Sequence, residues 1–393
     1  MTEKTENIKY RFLLGTHTMM FCVGFGYAAS YLQDLHIADG TIGIAISLFA
    51  LIGALSQFLL GRIADKSRRW NFKNLLILLS SVQLLSSLLL PFLSSISMIG
   101  IVLFGLVLLI TYAMLPLLNS VSFFYSAQNL KVDFGIARGI GSMTYGIISI
   151  VLGKTVSAFG TGCIPLFSAG IAAALLIESM LLPSPKAYGE PLKAQPSSSA
   201  KTKERPLLLR YPAFTLMLFG MTIIMVFHNM NITYFVRIIE KVGGNSTNLG
   251  IALGISAVTE IPILFIYSRL NKKISSKKLL FISCIVFTLK AFLFCIAGSV
   301  TFVYIIQALS IGAFGLMAAA KVYYAHDTFE EKDIVTGQAL VSMTEAVGMV
   351  MGSFFGGLII DAGGINAVLW GGFIICAVGT ALATGGVILK KHN

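Results

Sequence analysis

Along this chain apolar residues gather into runs of about 20, parted by short stretches of polar, basic or turn-forming residues. A helix rises about 1.5 Å per residue, so such a run crosses the roughly 30 Å of hydrocarbon in a bilayer. A barrel strand would alternate polar and apolar side chains, and no such alternation appears. The runs therefore read as helices that satisfy their own backbone. The pattern predicts an all-α membrane protein of twelve transmembrane helices, near 10–32, 41–61, 74–93, 97–119, 134–158, 162–182, 212–235, 247–268, 279–297, 301–321, 338–360 and 365–389.

One polar interruption is longer than the others. The stretch Pro183 to Arg210 holds Pro183, Pro185, Pro191, Pro196 and Pro206, the run Ser197-Ser198-Ser199 and several basic residues. That composition predicts a flexible linker. It divides an N-terminal six-helix bundle, 1–182, from a C-terminal six-helix bundle, 211–393, with 183–210 between them. The halves echo one another, since a basic connection follows the second span (Arg62 to Lys73) and another follows the eighth (Arg269 to Lys278). Repeated bundles around a central loop are the arrangement of two-bundle secondary transporters.

Composition and charge narrow the picture. Residues are 56% hydrophobic and 12% charged, against about 25% charged in soluble domains, so a soluble globule is excluded. The net charge of +12 orients the helices. With the N-terminus in the cytoplasm, most of the Lys and Arg fall on cytoplasmic connections, while Lys154, Arg237 and Lys241 lie outside. Both termini are expected in the cytoplasm of a multi-pass cell-membrane protein, and no nucleic-acid partner is implied. Cys22, Cys163, Cys284, Cys295 and Cys376 are scattered singly, with neither metal-ligand spacing nor a disulfide framework. The first apolar run has no small-residue cleavage site and reads as a full span rather than a signal peptide.

The connection after the second span reads Gly61-Arg62-Ile63-Ala64-Asp65-Lys66-Ser67-Arg68-Arg69. It resembles the major facilitator signature G-x-L-x-D-x-x-G-R-[RK], with Ser67 in place of the second glycine. Physically, Gly61 is expected to permit a close helix contact, Asp65 to cap or pair locally, and Arg68 and Arg69 to anchor to the cytoplasmic face. A narrower resemblance rests on Tyr31-Leu32-Gln33-Asp34-Leu35-His36-Ile37, Ala45-Ile46-Ser47-Leu48-Phe49, Gln57 and Phe134-Gly135-Ile136-Ala137-Arg138-Gly139-Ile140-Gly141. These segments are similar to the lactose-permease family and its related oligosaccharide, nucleoside and arylpropionate:proton symporters. The resemblance implies that Arg138 hydrogen-bonds a sugar and that Tyr145 stacks on its ring. Seven residues make two helical turns, so Arg138 and Tyr145 do share a face. Two departures stand out. Asn119-Ser120 occupies the region of that family's carboxylate partner to the arginine, and the tenth span offers only Gln307 and Ser310 where the family carries Lys, His and Glu.

Charge inside a span costs about 2.5–3.5 kcal/mol per residue on insertion scales, so each instance is expected to face a partner or water. Arg138, Glu260, Lys290 and Glu345 are such instances. Glu260–Lys290 reads as an ion pair between the eighth and ninth spans, leaving Glu345 to carry a proton. A low dielectric favours the neutral form of a carboxyl, which that task requires. Gly348, Gly352 and Gly356 form a small-residue packing stripe beside Glu345. The seventh span adds His228, Asn229, Asn231 and Tyr234, the second Gln57, and the first His17, which reads as a packing histidine. Tyr27 and Tyr31 read either as site-lining or as belt residues, and Glu178 as reaching the cytoplasmic interface.

The expected function is a secondary active transporter: a proton-coupled symporter of a small polar organic solute such as a saccharide or glycoside, working by alternating access. Arg138, Tyr145, Asn119, Gln57, His228, Asn229 and Lys290 are the candidate solute-binding residues. Glu345 and Glu260 are the candidate proton carriers, and Gly61, Asp65, Arg68 and Arg69 the conformational motif. The partners are the solute, protons and the lipid bilayer, with no cofactor or metal and a monomeric state. A sugar or drug efflux pump shares the fold, but the G-x-x-x-G-P motif of drug antiporters is missing from the fifth span. An enzyme or sensor reading finds no H-E-x-x-H, G-x-S-x-G or Walker A sequence.

Overall fold

The computed structural model describes residues 3–67, 69–94, 96–127, 134–183, 207–330 and 333–388, and every regular element among them is helical. Eleven helices there are long and apolar enough to cross a bilayer: α1 (Thr5–Asp34), α2 (Asp39–Ala64), α3 (Phe72–Leu93), α4 (Ser97–Ser122), α5 (Ile136–Phe159), α6 (Thr161–Leu181), α7 (Pro212–Thr233), α8 (Ser246–Asn271), α9 (Ser276–Cys295), α10 (Val300–Thr328) and α11 (Thr336–Ile388). Within α1, Cys22–Gly26 widens into a π-helical turn. Such turns gather at functional positions.

Several helices run past their apolar runs. The run 301–321 becomes Val300–Thr328, and 247–268 becomes Ser246–Asn271. Hydrophobicity marks only what lies in hydrocarbon, whereas the helix continues while its backbone bonds are met. Side chains then fix the ends. Asn245 caps α8, its side chain accepting from the Asn248 N–H at 3.2 Å while Asn248 returns the favour at 2.9 Å. Asn71 and Ser299 cap α3 and α10 in the same sense. The predicted spans 338–360 and 365–389 lie in one helical run, α11, broken at Gly364, whose φ of 69° and ψ of −177° no β-carbon tolerates well.

The helices form two compact units, Met1–Ile37 with Leu48–Ala200, and Ala38–Ser47 with Lys201–Asn393. In the first, Tyr10, Leu13, Met20, Phe25 and Tyr27 of α1 are fully buried. Polar side chains join its helices: Ser87 of α3 meets Ser168 of α6 at 2.7 Å, and Gln83 donates to Thr111 Oγ1 of α4 at 2.8 Å. Interhelical bonds of this kind average about 0.6 kcal/mol in membranes.

In the second unit α7 lies against α11. A β-carbon added at Gly348, Gly352 or Gly356 would collide with Met225, Val226 or Met230 of α7, so the glycine stripe lets two backbones approach. Beyond Gly364 the contact continues, where Gly379 sits against Gly220 of α7. The first turn of α2 belongs to this unit. Arg237, on the short helix Phe235–Lys241, bonds Asp39 at 2.7 Å, and the Tyr234 hydroxyl donates to the Asp39 carbonyl at 3.0 Å. The Gly40 N–H donates to Asp361 at 2.9 Å. Burial opposes the Arg237 charge, but its bonds to Asp39 and Glu240 more than offset this and hold its pKa above the usual value.

Candidate functional site

Five spans of the second unit each contribute one ionisable side chain to a linked group: His228 (α7), Glu260 (α8), Lys290 (α9), Lys321 (α10) and Glu345 (α11). Lys321 Nζ donates to Glu345 Oε1 in a direct ion pair. Lys290 is buried, donates to Ser310 Oγ of α10 at 2.6 Å, and stands 5.9 Å from the Phe294 ring centre. Ser310 in turn meets Ser256 of α8 at 2.7 Å. Glu260 acts on Lys290 electrostatically, and Gly315 of α10 leaves room beside it, because a β-carbon there would come within 3.2 Å of Glu260 Cβ. His228 feels both lysines. Its ring stacks on Phe314 (4.8 Å, 17°) and meets Phe287 edge-on at 5.3 Å. Two cations and two carboxylates cancel formally, as costly intramembrane charge requires.

One expectation needs correcting here. The tenth span was expected to offer only Gln307 and Ser310, with Lys290 paired to Glu260 and Glu345 left to carry a proton. Lys321 is in fact the partner of Glu345. The apolar run stops at Lys321, which placed it at the cytoplasmic junction, but the helix continues to Thr328 and keeps Lys321 buried inside it.

The first unit holds the other candidates. Arg138 Nη1 lies 3.4 Å from Ser142 Oγ, a weak bond that leaves most of its donor fork uncommitted to that residue. Tyr145 lies beside Cys22 of the π-helical turn. Gln57 donates to the Tyr112 carbonyl at 2.9 Å, and Asn119 is exposed, its carbonyl accepting from Ser122. Asn229, in the second unit, is buried and spends its amide on the Met225 carbonyl at 2.9 Å. His17 Nε2 lies 2.9 Å from the Thr111 carbonyl, a packing arrangement. Tyr27 donates to the Ser149 carbonyl at 2.8 Å, and Tyr31 stacks on Phe104 at 5.1 Å.

Two further expectations fail. Gly61 makes no close helix contact, since a β-carbon there would find nothing within 4 Å among the described residues. Glu178 does not reach out to the interface: it turns inward and accepts from Thr16 of α1 at 2.8 Å. Arg69 sits 5.7 Å from the Trp70 ring centre. Arg68 and the Asp65 side chain lie outside the described residues. The sequence reading noted Cys22 only as a lone cysteine and gave Ser256 and Lys321 no role. For Lys321 a signal existed, a cation directly after the small residues Ala318-Ala319-Ala320 of an apolar run.

Long apolar helices in two units, with buried lysines facing carboxylates on neighbouring spans, define a multi-pass membrane transporter of the major facilitator type rather than an enzyme. The model of the MFS_1 like family matches residues 21–369, and the chain belongs to that family. Among solved structures, the nucleoside transporter NupG is similar at 16% identity, covering 97% of this chain and 98% of its own, with a TM-score of 0.76. A POT family peptide transporter is similar at 11% identity (97% and 96% covered, TM-score 0.73). A bacterial homolog of the human lysosomal transporter Spinster is similar at 14% identity (98% and 96% covered, TM-score 0.72). Identities this low carry the fold alone. Among curated proteins no match was found.

Proposed function

We propose that this transporter is a proton-coupled symporter of a small polar organic solute, of the saccharide or glycoside kind. The observation that carries the reading is the charge group on α7 to α11, and above all the Lys321–Glu345 pair inside two spans. A proton on Glu345 cancels its charge and releases Lys321, so one protonation changes both the charge and the bonding of the unit. That is what a proton gradient needs in order to act on a protein. Arg138 supports the solute reading with its planar donor fork, and Tyr145 with a ring two turns along the same face. The similarity to a nucleoside transporter agrees with this class, because a nucleoside is itself a glycoside.

The bundle reading follows from length. At about 1.5 Å per residue the 53 residues of α11 would run roughly 80 Å, more than twice the hydrocarbon thickness. The break at Gly364 supports reading two spans there, twelve in all, six in 1–182 and six in 211–393, joined by 183–210. Both termini then face the cytoplasm of a cell-membrane monomer. The test is a thermal-shift binding screen in detergent with saccharides, nucleosides and aromatic acids. A polyhydroxylated solute should stabilise the wild type and leave Arg138→Ala unshifted. Stabilisation by aromatic acids alone, or equal stabilisation of the variant, would overturn the solute assignment.

A further inference from the structure

The first unit holds a half-buried carboxyl that the charge group of the second does not use. Glu178 lies within α6, and its Oε1 accepts from the Thr16 hydroxyl of α1 at 2.8 Å. Its Oε2 is sealed from solvent and has no hydrogen-bond partner among the described residues. The helices packed against α6 are α1, α3 and α5. They carry Glu6, Lys9, Tyr10, Arg11, His17, Cys22, Tyr27, Tyr31, Asp34, Lys73, Arg138, Tyr145 and Lys154 as charged or titratable groups, and Cys163 lies at the start of α6 itself. None of them forms an ion pair with Glu178 among the described residues. Lys9 pairs with Glu6 at 2.9 Å, Lys73 donates to the Met180 carbonyl at 2.9 Å, and His17 is bound to the Thr111 carbonyl. Arg11 precedes Thr16 by five residues, which turns it about 140° away round the helix. An anion held by one neutral hydroxyl, with its other oxygen sealed in an apolar span, is strongly disfavoured against the neutral acid.

A polar seam runs beside it. Lys73 reaches Met180 and Ser87 meets Ser168, which sets α3 antiparallel to α6 and puts Ser80 within about one turn of the level of Glu178. The buried atoms Ser80 Oγ, Gln83 Oε1 and Ser179 Oγ have no partner among the described residues. Buried polar atoms in that condition are where ordered water sits.

We infer that Glu178 is a proton-binding site of the first unit, separate from the charge group of the second, and that water held along Ser179, Ser80 and Gln83 exchanges its proton. The site stands whether or not Glu345 carries the coupling proton. Infrared difference spectroscopy of the full-length protein in lipid at neutral pH tests it. The wild type should show the carbonyl stretch of a protonated carboxylic acid, lost in Glu178→Gln and kept in Glu345→Gln. Persistence of that band in Glu178→Gln, or its absence from the wild type, would overturn the site. Should Glu178→Gln fail to fold, Thr16→Val retains the acid and removes a bond to its carbonyl, so the band should move to higher frequency; an unmoved band is equally contrary. Ser80→Ala should slow deuterium exchange of the band several-fold, and an unchanged rate would overturn the water route.

Discussion

A lysine inside an apolar span must find an anion or a dipole, and Lys321 and Lys290 meet that need differently. Lys321 takes a carboxylate directly, whereas Lys290 takes a serine hydroxyl with Glu260 acting through space. Removing Lys321 should therefore take from Glu345 its direct cation. The Glu345 side chain is 41% exposed, so the penalty falls below that of a fully buried pair. We expect a double-mutant cycle between Lys321→Met and Glu345→Gln to give a coupling of about 1 kcal/mol or more by thermal unfolding, and strict additivity would deny the pair any energetic weight. At the proposed solute site, Arg138→Lys should weaken binding about ten- to a hundredfold, because a point charge cannot copy the guanidinium fork. Tyr145→Phe should be milder than Tyr145→Ala, and calorimetric titration with the solute found in the binding screen separates them. The sequence exposed Arg138, Glu260, Lys290 and Glu345 because a charge within an apolar run is visible one-dimensionally. Which cation meets which anion depends on lateral neighbours, so the Lys321 pairing and the inward turn of Glu178 were not legible.

At the scale of the helix, glycines do different work according to what stands opposite them. Gly352 faces α7 so closely that any side chain strikes backbone, while Gly61 faces open space among the described residues. Gly352→Leu should then cost about 1–3 kcal/mol through overpacking. Gly61→Ala should be neutral or slightly stabilising, since Ala is favoured over Gly in a helix by about 0.5–1 kcal/mol. Unfolding temperatures in detergent check both, and a Gly61→Ala loss as large as that of Gly352→Leu would contradict this packing. The four-residue repeat Gly348, Gly352, Gly356 was readable as a packing face because periodicity alone implies one. Gly61 has no such repeat, and its motif says nothing about what stands opposite. Helix extents were legible only within the hydrocarbon, since the caps at Asn245 and Ser299 depend on which polar residue the backbone reaches first.

For the whole molecule, we propose cytoplasmic termini and a cytoplasmic linker, a reading that the uneven distribution of basic residues supports. A cysteine placed at Ser198, which lies outside the described residues, should resist an impermeant thiol reagent applied to intact cells and react in inverted vesicles; labelling from outside would reverse the orientation. The central claim is that a proton taken up by the charge group drives solute accumulation. Its most direct test is uptake of the screened solute by purified protein in liposomes, with and without an imposed pH gradient, for the wild type and Glu345→Gln. The amide mimics the protonated acid, so the variant should keep binding and exchange across the membrane but lose gradient-driven accumulation at least tenfold. Full accumulation by Glu345→Gln, with the gradient still driving it, would contradict the account.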